Sequence, residues 1–290
     1  MYPNPFEYHR ASSVSEAISL LQEYGDGAKL IAGGHSLLPT MKLRLANPEH
    51  LIDIAGIAGL SGVTDAGDAL VIGATTTHRA VAHDPLIAQH APLLAEIAHT
   101  IGDRQVRARG TIGGAVAHAD PAADYPAGIL ALDAEIIATG PNGETTIPAS
   151  EFFISIFTTA LAAEDVVTAI RVPKPGARTG SAYEKFANPA SGYAIAGLAA
   201  VVTLDESGAI ATAKIGVTGL SDRAFRASAA ESILEGITPD QASVAAATRN
   251  IANGYDILGD IHASESYRSR VADGLAARAV LKAVARAAGN

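Results

Sequence analysis

The sequence predicts an α+β protein with two domains. Strand-like apolar segments and helical segments are interspersed through roughly the first 172 residues, and a stretch rich in proline, glycine and charge interrupts this pattern at residues 173–180. After it, three strand-like stretches precede three helical ones. The chain has 290 residues, 48% of them hydrophobic and 18% charged, which is enough to bury more than one core.

The first part of the chain predicts a small lobe over about residues 1–57. Ser13 and Glu16 have the spacing of a capping box, and apolar residues at helical spacing follow until Gly25 ends the helix. Residues 29–32 and 51–54 are typical of short buried strands. The first of these strands runs directly into the pair Gly33-Gly34.

A second lobe is expected over about residues 58–175. Asn142-Gly143 predicts a tight turn, so the flanking strands form a hairpin. The predicted elements are a strand at 69–73, two helices between 79 and 101, a glycine-rich stretch at 110–114, hairpin strands at 134–138 and 145–147, and a strand at 165–172.

The C-terminal part predicts a small antiparallel sheet followed by helices. We expect the domain boundary in the Pro- and Gly-rich stretch, which divides the chain into residues 1–175 and 176–290. The predicted strands are 182–186, 195–204 and 211–217, and the predicted helices are 224–234, 239–251 and 266–287.

Composition argues against several classes of function. The net charge of −9 provides no basic field for nucleic acid. The longest apolar run, residues 194–204, is far shorter than the roughly 20 residues of a membrane span. No secretory signal is read at the N-terminus, so a cytoplasmic protein is expected. Cysteine is absent, and any redox role must therefore depend on a bound organic cofactor.

Two glycine loops are the strongest candidates for a binding site. Residues 32–36 read Ala-Gly-Gly-His-Ser after a predicted strand, and residues 111–114 read Thr-Ile-Gly-Gly. Glycine lets the main chain approach a ligand closely and present N–H groups to an anion. A single Gly-Gly pair is more often a simple turn, but two such loops suit a pyrophosphate held between two lobes. Neither a lysine-containing phosphate loop nor a G-x-G-x-x-G motif is present.

The motifs around these loops resemble those of a known family. They are Ala-Gly-Gly-His-Ser-Leu-Leu-Pro at 32–39 with Lys-Leu-Arg-Leu at 42–45, Arg-Gly-Thr-Ile-Gly-Gly at 109–114, Ala-His-Ala-Asp-Pro-Ala-Ala-Asp at 117–124 and Tyr-Glu-Lys-Phe at 183–186. Over essentially the whole chain, they resemble the flavin subunits of the xanthine dehydrogenase and carbon monoxide dehydrogenase family. The medium subunit of carbon monoxide dehydrogenase-like hydroxylases is the most similar type.

The resemblance implies a fold and a set of FAD contacts. The fold is a two-lobed FAD-binding domain of the vanillyl-alcohol oxidase type, followed by a small antiparallel sheet with a helical bundle. The implied FAD-binding residues are Ile31, Ala32, Gly33, Gly34, His35, Ser36, Leu37, Ile101, Thr111, Ile112, Gly113, Gly114, Ala115, Asp124, Val167, Lys185 and Tyr193.

Three of these positions either depart from the family pattern or have an alternative interpretation. Ala115 stands where asparagine or serine is common in the family, so a side-chain hydrogen bond to the cofactor is lost there. Lys185 could instead be a solvated strand residue. Tyr193, expected to shield one face of the flavin ring, could instead be a core tyrosine.

The resemblance also implies partners and a division of labour. Substrate would be oxidised at a molybdenum–pterin centre in a large subunit, and electrons would pass through iron–sulfur clusters of a small subunit to this FAD and then to an external acceptor. The expected assembly is a dimer of heterotrimers. This chain is expected to supply no catalytic residue of its own.

Metal binding by this chain is not expected. His118 with Asp120, and His78, His83, His90 and His99, lack the spacings of metal-ligand motifs and are interpreted as ordinary surface or capping residues. Two rival functions remain open. One is a self-contained flavoprotein oxidase or reductase, for which no covalent attachment motif is found, and the other is a flavin-less scaffold subunit.

Overall fold

The computed structural model describes residues 2–289, so Met1 and Asn290, the outer ends of the predicted domains, lie outside it. The helices are α1 Val14–Tyr24, α2 Leu37–Lys42, α3 His78–His83, α4 Pro85–His90, α5 Pro92–Thr100, α6 Arg104–Arg109, α7 Ile112–His118, α8 Asp124–Ala131, α9 Ala149–Phe152, α10 Ser228–Leu234, α11 Gln241–Ala247 and α12 Glu265–Ala287. The strands are β1 Glu7–Arg10, β2 Ala28–Ile31, β3 His50–Asp53, β4 Val63–Asp65, β5 Ala69–Gly73, β6 Glu135–Gly140, β7 Gly143–Pro148, β8 Phe153–Ser155, β9 Thr158–Thr159, β10 Val166–Pro173, β11 Thr179–Ala187, β12 Ala194–Leu204, β13 Ile210–Thr218 and β14 Phe225–Arg226.

The N-terminal lobe is a parallel sheet of order β1-β3-β2 with α1 packed on it. The predicted α1 is confirmed: the Ser13 hydroxyl accepts from the Glu16 N–H, and Gly25 ends the helix with φ +51°. The reciprocal half of the capping box differs, because the Glu16 carboxylate accepts from the N–H and hydroxyl of Ser12. Strand β1 was not predicted, since its sequence Glu-Tyr-His-Arg is polar and largely exposed.

The second lobe is an antiparallel sheet of order β4-β5-β10-β6-β7, covered by helices α3–α8. The predicted hairpin is confirmed, with Gly143 at φ +105°. The prediction of two helices between 79 and 101 is wrong, because the structure has three. Pro85 and Pro92 each occupy the first turn of a new helix, where a missing N–H costs no hydrogen bond.

The C-terminal region is an antiparallel sheet of order β11-β12-β13-β14 with α10–α12 packed against it. The three predicted strands are confirmed. The predicted helix from Ala224 is wrong at its start, since Phe225–Arg226 pairs with β13 and the helix begins at Ser228. The helix predicted at 239–251 is shorter than expected, spanning Gln241–Ala247. The α+β class is confirmed.

Helix α8 joins the two parts of the molecule. It is buried along its whole length and packs against both α5 and the sheet strands β12 and β13. Residues 121–123, which immediately precede α8, accept hydrogen bonds from Gly219, Thr218 and Ala194 in the C-terminal sheet region. Within residues 2–289, no helix combines the length and the apolar character needed to cross a bilayer.

Candidate cofactor site

A large cleft separates the N-terminal lobe from the second lobe. Its volume is about 770 Å³, within the roughly 300–1,000 Å³ typical of small-molecule and cofactor sites. Strand β2, the two glycine loops, the start of α8 and the loop before β12 all contribute to its wall. The two predicted loops are therefore brought together on one cleft.

The first glycine loop offers a row of free hydrogen-bond donors. The loop follows the end of β2 and turns at Gly34, whose φ is +72°. Among residues 2–289, no acceptor is found for the backbone N–H groups of the five residues from Gly33 to Leu37. His35 is exposed and the other four residues are half-buried, so these donors are open to water or to a ligand with several acceptor oxygens.

Close packing fixes this loop in place. A Cβ atom at Gly33 would collide with the carbonyl oxygen of Arg109 and would come within 2.8 Å of the Gly110 Cα. The ring Nε2 of His35 lies 3.2 Å from the carbonyl oxygen of Gln105. Glycine is thus required at position 33 because the two glycine loops touch there.

The second glycine stretch differs from expectation, because Ile112, Gly113 and Gly114 form the first turn of α7 and their backbone donors are already paired. The N–H groups of Ile112 and Gly113 donate to carbonyls in residues 74–76, at 3.0 and 2.9 Å. That of Gly114 donates to the Thr111 hydroxyl oxygen, at 3.1 Å. The prediction that the glycines of this stretch present free N–H groups to an anion is therefore wrong. Its glycines serve mainly close packing, and a Cβ at Gly113 would lie 2.7 Å from the Cα of Ala74.

A buried ion pair forms part of the cleft wall. Lys185 Nζ lies 2.9 Å from Oδ2 of Asp124, and the Tyr183 hydroxyl donates to Oδ1 at 2.6 Å. Burial raises the pKa of Asp124, against the opposing effects of the Lys185 charge and the Tyr183 hydrogen bond. Lys185 also donates to the carbonyl of Thr100 at 3.2 Å. The alternative that Lys185 is a solvated strand residue is wrong, since its side chain is 6% exposed.

Tyr193 reaches the cleft from the C-terminal region. It lies in the loop before β12 and is 42% exposed, so the alternative of a core tyrosine is wrong. Its pKa is raised, chiefly by burial and then by the charge of Asp120, while a hydrogen bond with the Ser36 hydroxyl opposes the rise. The ring therefore lies beside the first glycine loop.

Two further cleft residues were missed by the sequence reasoning. His78 was interpreted as a surface or capping residue, but it is only 5% exposed, and that interpretation is wrong. Burial, followed by the positive charges of His35 and Arg107, lowers the pKa of His78 to about 4. Its Nδ1 and the hydroxyl of buried Tyr125 find no hydrogen-bond partner within residues 2–289. Both line the cleft, with ring centroids 5.3 Å apart.

These unpaired groups fit a polar cofactor, since buried polar atoms in folded proteins nearly always have partners. Nothing in the local sequence marks His78 or Tyr125, because their burial depends on how elements distant in sequence pack around them. The predicted residues that line the cleft are Ile31, Ala32, Gly33, Gly34, His35, Ser36, Leu37, Ile101, Thr111, Gly113, Gly114, Ala115, Asp124, Val167 and Tyr193.

Two predicted residues do not line the cleft. Ile112 is fully buried in the core of the second lobe. Lys185 contacts the cleft only through Asp124. Lys185 is therefore placed to orient the Asp124 carboxylate.

Comparison with known proteins agrees with this geometry. The family described as the FAD binding domain in molybdopterin dehydrogenase matches residues 4–175, and the CO dehydrogenase flavoprotein C-terminal domain matches residues 181–283. The chain is 41% identical to the carbon monoxide dehydrogenase medium chain of Hydrogenophaga pseudoflava, over 99% of this chain and 100% of that one.

One further relative and one solved structure extend the comparison. The chain is 38% identical to the 6-hydroxypseudooxynicotine dehydrogenase complex subunit alpha of Paenarthrobacter nicotinovorans, over 99% of this chain and 97% of that one. The solved structure of H. pseudoflava carbon monoxide dehydrogenase lacking the Mo-pyranopterin moiety superposes with a TM-score of 0.95, at 43% identity and 99% coverage of both chains. The chain belongs to the FAD-binding medium-subunit family of carbon monoxide dehydrogenase- and xanthine dehydrogenase-type molybdenum hydroxylases.

Proposed function

We propose that this chain is the electron-transfer subunit of a multi-subunit molybdenum hydroxylase and that its FAD lies in the cleft with the pyrophosphate on the first glycine loop. The observation that carries this proposal is the row of five N–H groups from Gly33 to Leu37 that find no acceptor among residues 2–289. A diphosphate offers several anionic acceptors to such a row. Bound FAD would supply redox chemistry by accepting electrons from a partner's iron–sulfur clusters and passing them to an external acceptor.

The remaining cleft residues have roles that follow from their positions. Thr111, Gly114 and Ala115 line the wall beside the first loop and would contact the pyrophosphate or ribityl chain. His78 Nδ1 and the Tyr125 hydroxyl have no partner in the described part of the chain and would hydrogen-bond to polar atoms of the cofactor. With its pKa near 4, His78 is neutral at pH 7, so it could serve as a donor or an acceptor. Tyr193 would cover one face of the flavin ring.

Asp124 and Lys185 would hold the start of α8 against the C-terminal sheet. The Asp124 carboxylate faces the cleft while Lys185 and Tyr183 fix both of its oxygens. We assign residues 1–175 to the FAD-binding domain, with lobes of about 1–57 and 58–175, and residues 176–290 to the C-terminal domain. The ion pair would thus bridge the two domains.

The proposed partners are a small iron–sulfur subunit and a large molybdenum–pterin subunit, assembled as a dimer of heterotrimers in the cytoplasm. The chain contains no cysteine, so iron–sulfur clusters must be ligated elsewhere. Exposed apolar side chains stand at the rim of the cleft, with Leu45 75% and Phe157 55% exposed. Such a rim favours contact with another protein.

The relatives support placing the substrate site on another subunit. The identities to the carbon monoxide and 6-hydroxypseudooxynicotine dehydrogenase subunits are 41% and 38%, although the substrates in the two names are chemically unrelated. A chain that bound the substrate would be expected to separate these enzymes more clearly. Carbon monoxide and 6-hydroxypseudooxynicotine are therefore the first two substrates to test.

The identity of the co-purifying chains tests the proposed assembly. In this experiment, a tagged version of the chain is isolated from cells that express its natural partners. The complex is then analysed for protein chains, molybdenum, iron and FAD. We expect two further chains, with molybdenum, iron and one FAD for each copy of this chain. Isolation of a single-chain flavoprotein with full dehydrogenase activity would favour the self-contained oxidase or reductase, and a complex that lacks FAD would favour the scaffold.

A further inference from the structure

A cluster of potential metal ligands lies on the N-terminal sheet, outside the cleft. Strands β1 and β3 are parallel neighbours, with Glu7 aligned to His50. Side chains two residues apart on a strand share a face, so His9 lies on the same side as Glu7. One atom of each of Glu7, His9 and His50 can therefore converge, and the three ligand atoms all lie within 4.8 Å of one another.

The distances are close to those of a coordinated ion. Nε2 of His9 lies 3.0 Å from Nδ1 of His50, and Oε2 of Glu7 lies 3.8 Å from the same Nδ1. Ligand atoms around a tetrahedral zinc ion lie about 3.3 Å apart, because the bonds are about 2.0–2.1 Å long. A small movement of the Glu7 side chain would bring its carboxylate to such a distance. The Glu7 side chain is 75% exposed and free to make this movement.

The two imidazoles are already oriented towards each other. The Tyr24 ring stacks on His50 at 3.8 Å with an interplanar angle of 6°, and on His9 at 5.0 Å. Without a metal, the two facing nitrogens must share one proton, since a hydrogen bond needs one N–H and one lone pair. A metal ion could replace that proton and accept both lone pairs.

Glu7 brings a carboxylate to the two imidazoles, and its negative charge favours a cation as the ligand.

We propose that Glu7, His9 and His50 bind one divalent transition-metal ion of the zinc type, with water completing its coordination. Two histidines and one glutamate are a ligand set found at zinc sites that keep an open position. The three residues were missed in the sequence because His9 and His50 are 41 residues apart and meet only through strand pairing. The prediction that this chain binds no metal is replaced by this proposal.

The site would act on the N-terminal sheet, and none of its three residues lines the cofactor cleft. Strand β1 is an edge strand that pairs only with β3. An ion held by both strands would fasten β1 to the lobe. His50 aligns with Ala28 at the start of β2, whereas the glycine loop follows Ile31 at its other end. Ala28 and Ile31 are three residues apart along β2, a distance of about 10 Å.

Isothermal titration of the chelator-treated, FAD-loaded full chain with Zn²⁺ tests the proposal. We expect one ion per chain and an unfolding midpoint that rises with zinc. His9→Gln and Glu7→Gln should each weaken zinc binding. Loss of an outer-shell partner already lowers metal affinity by up to about 100-fold, so loss of the direct ligand in His9→Gln should lower it by more than about 100-fold. His50 is left intact because its ring packs on Tyr24.

His262→Gln is the matched control, since His262 is exposed on a distant loop and should leave zinc binding unchanged. The FAD content of each variant reports on folding, and Glu7→Gln changes only an exposed side chain. Saturable 1:1 binding that disappears in His9→Gln and weakens in Glu7→Gln supports the site. The absence of 1:1 binding in the wild type, or equal affinity in the Glu7→Gln/His9→Gln double variant, would overturn the proposal.

Discussion

Lys185 Nζ lies 2.9 Å from Oδ2 of Asp124, although the two residues are 61 positions apart and both side chains are buried. Asp124 begins α8 on the cleft wall, and Lys185 lies on β11 of the C-terminal sheet. This ion pair makes the cleft wall depend on the C-terminal sheet.

Lys185→Met should destabilise the protein by about 3–5 kcal/mol, because it leaves a buried carboxylate without a compensating charge. Asp124→Asn in the same chain should restore much of the loss. Lys174→Met, which breaks the exposed pair with Asp65, is the control and should have a much smaller effect. Urea unfolding measures all three variants. Equal stability of Lys185→Met and wild type would show that the pair is unimportant.

Gly33→Ala should abolish FAD binding or weaken it strongly. The added methyl group would meet the Arg109 carbonyl, so the two glycine loops would have to separate and the row of N–H donors would move. Gly176→Ala is the matched control, because a Cβ there meets nothing within 4 Å. Flavin absorbance per chain is the measurement. Full occupancy in Gly33→Ala would argue against this loop as the phosphate site.

Stability should fall on acidification through the range between the ordinary His pKa of 6.5 and the folded pKa of His78, about 4. Over this range the unfolded state binds a proton that the folded state excludes, so the free energy of unfolding decreases as the pH falls. The loss attributable to His78 is at most about 3.5 kcal/mol, at about 1.4 kcal/mol for each unit of pKa difference.

Urea unfolding of the chain at pH 7, 5.5 and 4.5 measures this dependence. His78→Gln should flatten the slope, and His83→Gln, an exposed residue of the same helix, should leave it unchanged. An identical slope in wild type and His78→Gln would refute the assignment to His78.

Tyr193→Ala should weaken FAD binding by roughly 2- to 13-fold, since an aromatic pair contributes about 0.5–1.5 kcal/mol beyond buried area. Tyr2→Ala, at a residue 87% exposed, provides the control. Quenching of flavin fluorescence on titration gives the dissociation constants. If both variants bind FAD as tightly as wild type, Tyr193 does not contact the flavin.

The sequence predicted the features that depend on neighbouring residues. Helix α1 with its Ser13 cap, the hairpin at Gly143 and the first glycine loop all follow from local pattern. Strand β1 was missed because a polar edge strand has no apolar alternation, and it forms only through pairing with β3.

Features that need distant contacts could not be predicted from local pattern. The burial of His78 depends on the surrounding helices, and the paired donors at Gly113 depend on the approach of Ala74. No local pattern indicates that the Lys185 side chain pairs with Asp124 and does not line the cleft. Side-chain partners far apart in sequence are fixed by tertiary packing, which outweighs local preference.

The central claim is that partner subunits deliver electrons to the FAD of this chain. Anaerobic mixing tests this claim most directly. The FAD-loaded chain alone and the assembled complex are each mixed with carbon monoxide or 6-hydroxypseudooxynicotine, and the flavin absorbance is followed in time. If either compound is the substrate, we expect the flavin to bleach in the complex and to remain oxidised in the isolated chain. Bleaching of the isolated chain at a catalytic rate would contradict the account and identify a self-contained flavoenzyme.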